Sequence, residues 1–385
     1  MKIDPYKHKE RYLKWKDAVK EGIPGITREN SEIILQYLND MEIGVNISAV
    51  SVKGSRGYNR LNTLRHRLIF FSKKFMTCFN LGCIAEIKEG QLFQFFSDME
   101  KGVIKRKDGE NFMGVDSYVK TFKAFWHGYQ KVSRKKGLEV RDITVDLDAK
   151  ATKPKWVYLT EKQVKQLYER AGHKYQVLIM FLFDTGIRAP TELINVRVSD
   201  LYKGCTELQI REEISKTFGR RIKLMICSKI LKAYIEENDL KPEDQLFPIN
   251  PQVVNRYLKN LAVKVLGKGV SEAGEFYSRL SMYDFRHCAC CYWLPRYKSE
   301  SALKYRFGWK KSDKIHYYSE LLGMKDTISE DDLLVDVTKT EIEKRLTKAE
   351  QEAEFLREDN KHMKLQMRKI MEFVTQLRSQ VEVLA

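Results

Sequence analysis

Five residues between positions 188 and 318 have side chains suited to phosphate chemistry. Arg188 lies in the segment FDTGIRAPTELINV and Arg286 in MYDFRHCACCYWL, with Lys216 between them in EEISKTFGRRIKL. Trp309 and Tyr318 follow in FGWKKSDKIHYYSEL. Two guanidinium groups can bind a phosphate in bidentate fashion, a lysine can donate a proton, and a tyrosine hydroxyl can attack phosphorus. We therefore interpret these segments as one phosphate-handling site.

The residues before Arg188 predict how this side chain is positioned. The apolar run 175–185 is too short to span a membrane and predicts a buried helix that ends at Gly186. An arginine directly after a buried helix has a defined position. Taken alone, Arg188 is also explained by a salt bridge to Asp184 or Glu192.

Lys216 is predicted to lie on or beside a β-hairpin. Residues 208–210 and 222–224 alternate like two strands, and the sequence between them contains a glycine. A hairpin can reach into a groove, although a hairpin lysine considered alone is usually only solvated.

Length and composition limit the class of protein. A chain of 385 residues, 43% of them hydrophobic, can form two domains of ordinary size and an extension. No long uncharged apolar run predicts a membrane span, and the charged start MKIDPYKHKERYLKWK predicts no secretion signal. Seven cysteines, with three at Cys288, Cys290 and Cys291, argue against a disulfide framework and for a reduced, intracellular setting.

The net charge of +17 is unevenly distributed along the chain. It is +9 over residues 1–150, +12 over residues 151–325 and −4 over residues 326–385. A basic excess of this size favours nucleic acid as the partner. A membrane surface is the weaker alternative, because no basic amphipathic helix is apparent at either terminus.

Residues 1–145 are predicted to form a helical DNA-binding domain. No acidic residue occurs from 44 to 85, whereas a solvated helix face, the alternative, normally mixes both signs of charge. A helix is expected to start near Asn59. The residues expected in the core are Leu61, Leu64, Leu68, Phe71, Phe93, Phe95, Phe96, Phe122, Phe125, Trp126 and Tyr129. The basic residues expected to contact DNA phosphates are Lys53, Arg56, Arg60, Arg65, Arg67, Lys73, Lys74, Lys131, Arg134 and Lys135.

A linker and a second domain are predicted to follow. The stretch RDITVDLDAKATKPKWVY has no helical period and contains a Lys-Pro-Lys step, which indicates a linker over residues 146–158. Thr160 then offers an N-cap for the next helix. We assign the second domain to residues 159–325.

Residues 332–385 show a heptad pattern typical of a coiled coil. The apolar spacing alternates between four and three residues, and Asn360 alone is polar at an a position. A single buried asparagine there favours a parallel dimer in one register. A long amphipathic helix folded back on the protein is the alternative. The heptad positions are Ile342, Leu346, Ala349, Ala353, Leu356, Asn360, Met363, Met367, Ile370, Val374, Leu377, Val381 and Leu384.

The phosphate-handling segments resemble the catalytic domain of the tyrosine recombinases, the phage-integrase family of site-specific DNA recombinases. TGIRAPTEL is similar to the family's first arginine box, with Arg188, and SKTFGRRIKL to its hairpin with the catalytic lysine. MYDFRHCACCYWL is similar to the His-x-Leu-Arg-His box, with Arg286 as the second arginine. Trp309 takes the place of the last histidine, and Tyr318 follows nine residues later, which is the family's spacing. The resemblance covers roughly residues 156–322.

This resemblance implies a fold that is mainly α with a small antiparallel β-sheet. It comprises a helical core-binding domain and a mixed α+β catalytic domain, followed in this chain by the C-terminal coiled coil. It also implies an integrase-type recombinase of a virus, plasmid or other mobile element, acting on double-stranded DNA attachment sites as a tetramer in the cytoplasm. No cofactor is expected, neither ATP nor a metal, because a covalent link to the protein conserves the bond energy.

The resemblance also implies a role for each residue of the site. Arg188 and Arg286 would stabilise the charge that builds up on the phosphate. Tyr318 would attack phosphorus and form a 3′-phosphotyrosine link, and Lys216 would protonate the leaving 5′-hydroxyl. Trp309 would pack and hydrogen-bond around the phosphate.

Two positions depart from the family pattern. Tyr283 stands where the family has histidine or lysine, and a phenol, with an ordinary pKa near ~10, is a poor base at neutral pH. A neighbour such as His287 is therefore expected to assist it. Glu192 follows Arg188 by four residues, one more than is common.

Two alternatives remain within the site. Tyr317 is the rival nucleophile, but adjacent side chains on a helix point about 100° apart, and the spacing from Trp309 favours Tyr318. The cysteine cluster at 288–291 could suggest zinc, but it lacks a second ligand pair at metal spacing, so small buried residues on a helix explain it better.

Two other functions compete with recombination. One is a type IB topoisomerase-like relaxing activity, although the Ser-Lys-x-Asn-Tyr nucleophile box of that class is absent. The other is a catalytically decayed, dimeric DNA-binding protein on the same fold. The presence of Arg188, Lys216, Arg286 and Tyr318 argues against decay, and Tyr283 argues for keeping this alternative.

Overall fold

The computed structural model describes residues 2–49, 51–148, 154–297 and 299–323, together with four positions in the tail. The chain divides into two units, Met1–Leu321 and Leu322–Ala385. The first half of the first unit is helical. Its helices are α1 (His8–Ala18), α2 (Arg28–Ile43), α3 (Tyr58–Phe79), α4 (Glu89–Glu100) and α5 (Val115–Lys135).

These five helices share one core rich in aromatic rings. The expected start of α3 near Asn59 is confirmed, and its predicted apolar residues are buried there. The ring of Phe122 meets those of Phe71 and Phe75 edge to face, at centroid distances of 5.4 and 5.8 Å, and Phe71 and Phe75 are stacked on each other at 6.0 Å. The prediction for Phe93 is wrong, because this ring lies on the outer side of α4 and is 36% exposed.

Among the described residues, the second half of the unit contains seven α-helices and a small sheet. The helices are α6 (Glu161–Arg170), α7 (His173–Thr185), α8 (Ser228–Glu237), α9 (Pro251–Leu266), α10 (Met282–Trp293), α11 (Glu300–Phe307) and α12 (Asp313–Leu322). The strands are β1 (Leu201–Tyr202), β2 (Glu207–Ile210) and β3 (Arg220–Lys223). They are antiparallel in the order β1-β2-β3, so the predicted hairpin around Lys216 is confirmed.

Helices α7 and α10 pack against each other at the centre of this half. The predicted buried helix is α7, which ends in a left-handed cap at Gly186. The start of α10 is held by the carboxylate of Asp284, which accepts hydrogen bonds from both the backbone and the hydroxyl of Ser281. Asp284 also accepts from the backbone N–H of Val157 at 3.0 Å. The end of the predicted linker is thereby tied to the helix that carries Arg286.

The boundary between the two halves stays a prediction. Leu147 still belongs to the core of α1–α5, whereas Trp156 forms a backbone bridge with Gly274. Both residues lie within the predicted linker 146–158, so these contacts do not decide the predicted limits of 1–145 and 159–325.

The predicted coiled coil lies almost entirely outside the described residues. The described positions in the tail are Arg357, Asn360, Met363 and Met367, each helical and exposed. Within the described part of the chain, no helix is long and apolar enough to cross a membrane.

Candidate active site

The end of α11 organises the arginines of the second half. A helix leaves its last carbonyl groups without partners inside the helix, and this end carries partial negative charge. Here three consecutive carbonyls each accept a hydrogen bond from a different arginine: Arg306 O from Arg220, Phe307 O from Arg286 and Gly308 O from Arg188. The donor–acceptor distances are 2.9, 2.6 and 2.8 Å. The helix terminus thus gathers three guanidinium groups at one place.

Arg188 is held by one carboxylate and one carbonyl. Its Nη1 donates to Glu192 Oε1 at 2.5 Å, and its backbone N–H donates to the other oxygen of the same carboxylate at 3.1 Å. The partner is therefore Glu192, while Asp184 pairs with Arg306 at 2.8 Å. The side chain of Arg188 is 12% exposed, so its guanidinium is oriented but still reaches the surface.

Gly186 sets the turn that delivers Arg188. It has φ of 55°, in the left-handed region that glycine adopts without strain. A Cβ atom at this position would also overlap the ring of Phe307. Its carbonyl accepts from Arg286 Nη1 at 2.6 Å, so the two predicted catalytic arginines are anchored to the same backbone segments.

Arg220 is a site residue that the sequence analysis missed. It is fully buried at the start of β3, and its Nη2 donates to Glu192 Oε2 at 2.9 Å. Burial disfavours the Glu192 charge, but the charges and hydrogen bonds of Arg220 and then Arg188 lower its pKa to about 2. One carboxylate thus faces the three guanidinium groups of Arg188, Arg220 and Arg286, which leaves two positive charges in excess.

Tyr318 lies against His287 beside this cluster. Its hydroxyl is 2.6 Å from His287 Nδ1, a hydrogen bond in which the phenol donates when Nδ1 carries no proton. The Trp309 ring is stacked on Tyr318 at 5.9 Å, and the Trp156 ring is stacked on His287 at 4.8 Å. The structure therefore brings Tyr318, His287 and Trp309 together as the sequence predicts, and adds Trp156.

The phenol of Tyr318 is buried, with 4% of its residue surface exposed. Burial, and then the neighbouring Cys290 thiol, raise the pKa of Tyr318 well above its ordinary value, whereas the nearby Arg286 guanidinium lowers it. The phenol is therefore neutral in this arrangement and must lose its proton to act as a nucleophile.

Tyr283 and Tyr317 occupy different positions from these groups. Tyr283 is 47% exposed, and its ring packs edge-on against His287 at 5.2 Å. The hydroxyl of Tyr317 donates to the carbonyl of Pro154 at 2.8 Å. The prediction that adjacent tyrosines on α12 point in different directions agrees with these contacts.

The three clustered cysteines, Cys288, Cys290 and Cys291, are buried on α10. This agrees with their interpretation as small core residues. Among the residues that the structure describes, no three His, Cys, Asp or Glu side chains are grouped as metal ligands.

Lys216 lies in the loop between β2 and β3 and is exposed. Its ammonium group forms no hydrogen bond or ion pair with the described residues. The loop itself lies against α11, because Phe218 is stacked on Tyr305 at 6.1 Å.

The basic residues of α3 do not form a single surface. Arg60, Arg67 and Lys74 recur at intervals of seven and share one side of the helix, whereas Lys73 points to another side. The expectation that Arg65 contacts phosphate disagrees with its burial, since it is 6% exposed and lies over the Trp15 ring. Arg65 is buried although no acidic residue is near it in sequence, because the ring of Trp15 packs against its guanidinium in place of a carboxylate.

Arg67 also has a structural role that the sequence did not reveal. Its Nη1 donates to Ser117 O at 2.5 Å and to Thr121 Oγ1 at 2.6 Å, and its guanidinium lies over the Tyr118 ring. It therefore joins α3 to α5. The remaining predicted phosphate contacts are exposed at Lys53, Arg60, Lys73, Arg134 and Lys135, and half-buried at Arg56, Lys74 and Lys131.

No protein-family model matches the sequence, and no curated protein matches it. The overall fold is nevertheless a known architecture. The chain has the fold of the tyrosine recombinases.

Solved structures of this class match most of the chain at low sequence identity. A lambda integrase dimer bound to a COC′ core site matches with a TM-score of 0.53 and 14% identity, covering 78% of this chain and 79% of that one. XerH recombinase in a post-cleavage complex with a palindromic difH substrate matches with a TM-score of 0.52 and 14% identity, covering 83% and 96%. The Tn1549 transposon integrase in complex with transposon right end DNA matches with a TM-score of 0.51 and 14% identity, covering 79% and 98%.

Proposed function

We propose that this protein is a site-specific DNA recombinase that cleaves and rejoins DNA through a covalent 3′-phosphotyrosine at Tyr318. The observation that carries the proposal is the convergence at the end of α11. Two excess positive charges lie there, beside a tyrosine hydroxyl that is hydrogen-bonded to a histidine. This combination suits an in-line attack on an anionic phosphodiester.

The proposed reaction divides the chemical work among the residues of the site. Arg188 and Arg286 bind the non-bridging oxygens of the scissile phosphate and stabilise the pentavalent transition state. The Tyr318 oxygen bonds to phosphorus while His287 Nδ1 takes its proton. The bond from phosphorus to the 5′ oxygen breaks, and Lys216 supplies a proton to that oxygen. Rejoining runs through the reverse steps, so the phosphoester energy is conserved.

Access of DNA requires a local rearrangement. Tyr318 is covered by the rings of Trp156 and Trp309, and a phosphodiester reaches its hydroxyl only if α12 or these rings move. In this proposal the structure represents the protein before the nucleophile is presented to DNA.

The partner proposed for both halves of the first unit is double-stranded DNA. Support comes from the net charges of +9 and +12 and from the exposed lysines and arginines of the helical half. The structures of lambda integrase, XerH and the Tn1549 integrase quoted above are complexes with DNA. A mobile genetic element is the proposed origin of such an integrase.

We further propose that residues 332–385 join copies of the chain as a coiled coil. The support is the heptad pattern with its single polar position at Asn360. Self-association of this kind would precede or accompany assembly of the four-subunit complex on DNA.

The decisive experiment uses a nicked suicide DNA that carries an attachment site bound by the protein. Wild type, Tyr318→Phe and Tyr317→Phe are incubated with this DNA, and protein–DNA adducts are resolved on a denaturing gel. We expect an adduct with wild type and Tyr317→Phe and none with Tyr318→Phe. A wild-type protein that binds the site without forming an adduct would favour the decayed DNA-binding protein.

A further inference from the structure

The residues on both sides of Lys216 are tethered to the arginine cluster. Thr217 Oγ1 donates to Gly308 O at 2.8 Å, a hydrogen bond of ordinary length. Ser215 Oγ lies 3.4 Å from Glu192 Oε1, which makes this the weaker tether. Lys216 itself is exposed, and it forms no hydrogen bond or ion pair with the described residues. Its two neighbours, in contrast, are hydrogen-bonded to residues of the candidate active site.

The carbonyl of Gly308 serves two parts of the site at once. It accepts from Arg188 Nη2 and from Thr217 Oγ1, both at 2.8 Å, and a carbonyl oxygen has two lone pairs for such a pair of donors. The position of the loop that carries Lys216 is therefore defined relative to the guanidinium that would hold the phosphate. Arg220, at the other end of this loop, is bonded to the neighbouring carbonyl of Arg306.

We propose that Thr217 is a positioning residue that places Lys216 for proton delivery to the leaving 5′ oxygen. The inference rests on the proposed function. In the cleavage step the ammonium of Lys216 gives a proton to the 5′ oxygen as the bond from phosphorus to that oxygen breaks. The side chain is left as a neutral amine, which is reprotonated before or during rejoining. Thr217 touches neither the phosphate nor the 5′ oxygen in this scheme, and acts only by holding the loop on Gly308.

The variant that isolates this role is Thr217→Val, because valine keeps the branched shape and removes the hydroxyl donor. Thr217→Ser retains the donor and is the matched control. We expect Thr217→Val to slow single-turnover cleavage about tenfold. A tenfold loss is smaller than the ~100-fold or larger loss of rate that removal of a general acid produces, because Lys216 is still present in this variant and only its position is less well defined. Thr217→Ser is expected to stay within about twofold of wild type.

A change of leaving group tests whether the effect passes through Lys216. The scissile phosphate is prepared with sulfur in place of the bridging 5′ oxygen, so that the leaving group is a thiolate that departs without a proton, since thiols ionise near pH ~8.5. Lys216→Ala and Thr217→Val should both be slow on the oxygen substrate and recover to near the wild-type rate on the sulfur substrate. Arg188→Ala, which affects phosphate binding, should stay slow on both.

The outcomes separate this inference from the function on which it rests. The positioning role would be overturned if Thr217→Val were slow on both substrates, or if it cleaved the oxygen substrate at the normal rate. In either case, cleavage by the wild-type protein would still support the proposed recombinase function. Wild-type protein that forms no adduct with either substrate would overturn the proposed function and this inference with it. Melting temperatures of both Thr217 variants, measured in parallel, report whether the fold is retained.

Discussion

The Tyr318 hydroxyl and Nδ1 of His287 lie 2.6 Å apart. Tyr283, which stands at the family's base position, contacts the His287 ring but forms no hydrogen bond with the part of the chain that the structure describes. In the proposed reaction, the group best placed to take the Tyr318 proton is therefore His287, which lies one turn after Tyr283 on α10. Tyr283 supports the imidazole by ring contact.

The first prediction compares His287 with Tyr283. His287→Gln should lower the single-turnover rate of adduct formation by about 100-fold or more, because the proton acceptor of the nucleophile is lost. Tyr283→Phe keeps the ring contact and should cost less than about tenfold. Adduct formation on the nicked substrate measures both, and a larger loss with Tyr283→Phe than with His287→Gln would reverse the assignment.

The second prediction concerns the turn at Gly186. Gly186→Ala should lower the melting temperature and reduce adduct formation, because its side chain would overlap Phe307 and its φ is 55°. The matched control is Gly204→Ala, since Gly204 has a similar φ of 64° and open space where the Cβ would lie. In this control, alanine has the unfavourable positive φ but meets no neighbouring atom. Equal melting temperatures for the two variants would show that the contact with Phe307 is unimportant.

The third prediction concerns Glu192 and pH. Glu192→Gln removes the counter-charge of the buried Arg220 and should destabilise the protein by about 3 to 5 kcal/mol. Because the folded protein lowers the pKa of Glu192 from 4.5 to about 2, this carboxylate stabilises the fold above pH 4.5, and its contribution is lost as the pH falls toward 2.

Urea unfolding at several pH values measures this contribution. The difference in stability between wild type and Glu192→Gln should shrink as the pH falls from 4.5 toward 2. Glu207→Gln, which alters a half-buried carboxylate whose partners Lys203 and Arg221 are solvent-exposed, is the control and should have a much smaller effect. A difference between wild type and Glu192→Gln that stayed constant across this range would contradict the proposed ion pair.

The fourth prediction concerns DNA binding by the helical half. Arg60→Ala and Lys74→Ala should each weaken binding similarly for different DNA sequences and reduce the salt dependence of binding by about one ion. Arg28→Ala, on α2, is the control, because Arg28 is exposed but pairs with Glu32. Affinities measured across a salt series distinguish the two groups. The same loss of affinity for Arg28→Ala would indicate a general charge effect without a defined surface.

The fifth prediction concerns the tail. A chain that ends near Asp331 should sediment as a smaller species than the full chain, because the heptads that join the copies are removed. Asn360→Ile should keep the association and change its number or register, because the polar a position selects the dimer. Sedimentation of all three proteins without DNA decides this, and an unchanged oligomeric state after truncation would exclude the tail as the site of association.

The sequence was informative where chemistry depends on local order along the chain. The glycine after a buried helix located Arg188, and the spacing from Trp309 singled out Tyr318. Contacts that depend on the meeting of distant segments could not be found in this way. Arg220 and Arg221 are adjacent on β3, and the alternation of a strand predicts that only one of the two side chains points inward. Which one does so depends on the register of β2 and β3, which the sequence does not give.

The same limit explains the errors in the helical half. A basic residue is normally solvated, so Arg65 and Arg67 were expected on the surface. The guanidinium of Arg65 instead packs on an aromatic ring of a neighbouring helix. That of Arg67 donates hydrogen bonds to carbonyl and hydroxyl oxygens of another helix. Such partners are ordinary residues in sequence and become recognisable only when the helices are packed.

The tryptophan rings around Tyr318 make the intrinsic fluorescence of the protein sensitive to the state of this site. Trp156 and Trp309 are two of its five tryptophans, and both lie within 6.0 Å of the Tyr318 ring, measured between centroids. Indole emission changes when the groups around the ring change, so displacement of these rings alters the fluorescence of unlabelled protein. Rapid mixing of Tyr318→Phe with DNA would time the opening of the pocket separately from bond cleavage, which this variant cannot perform.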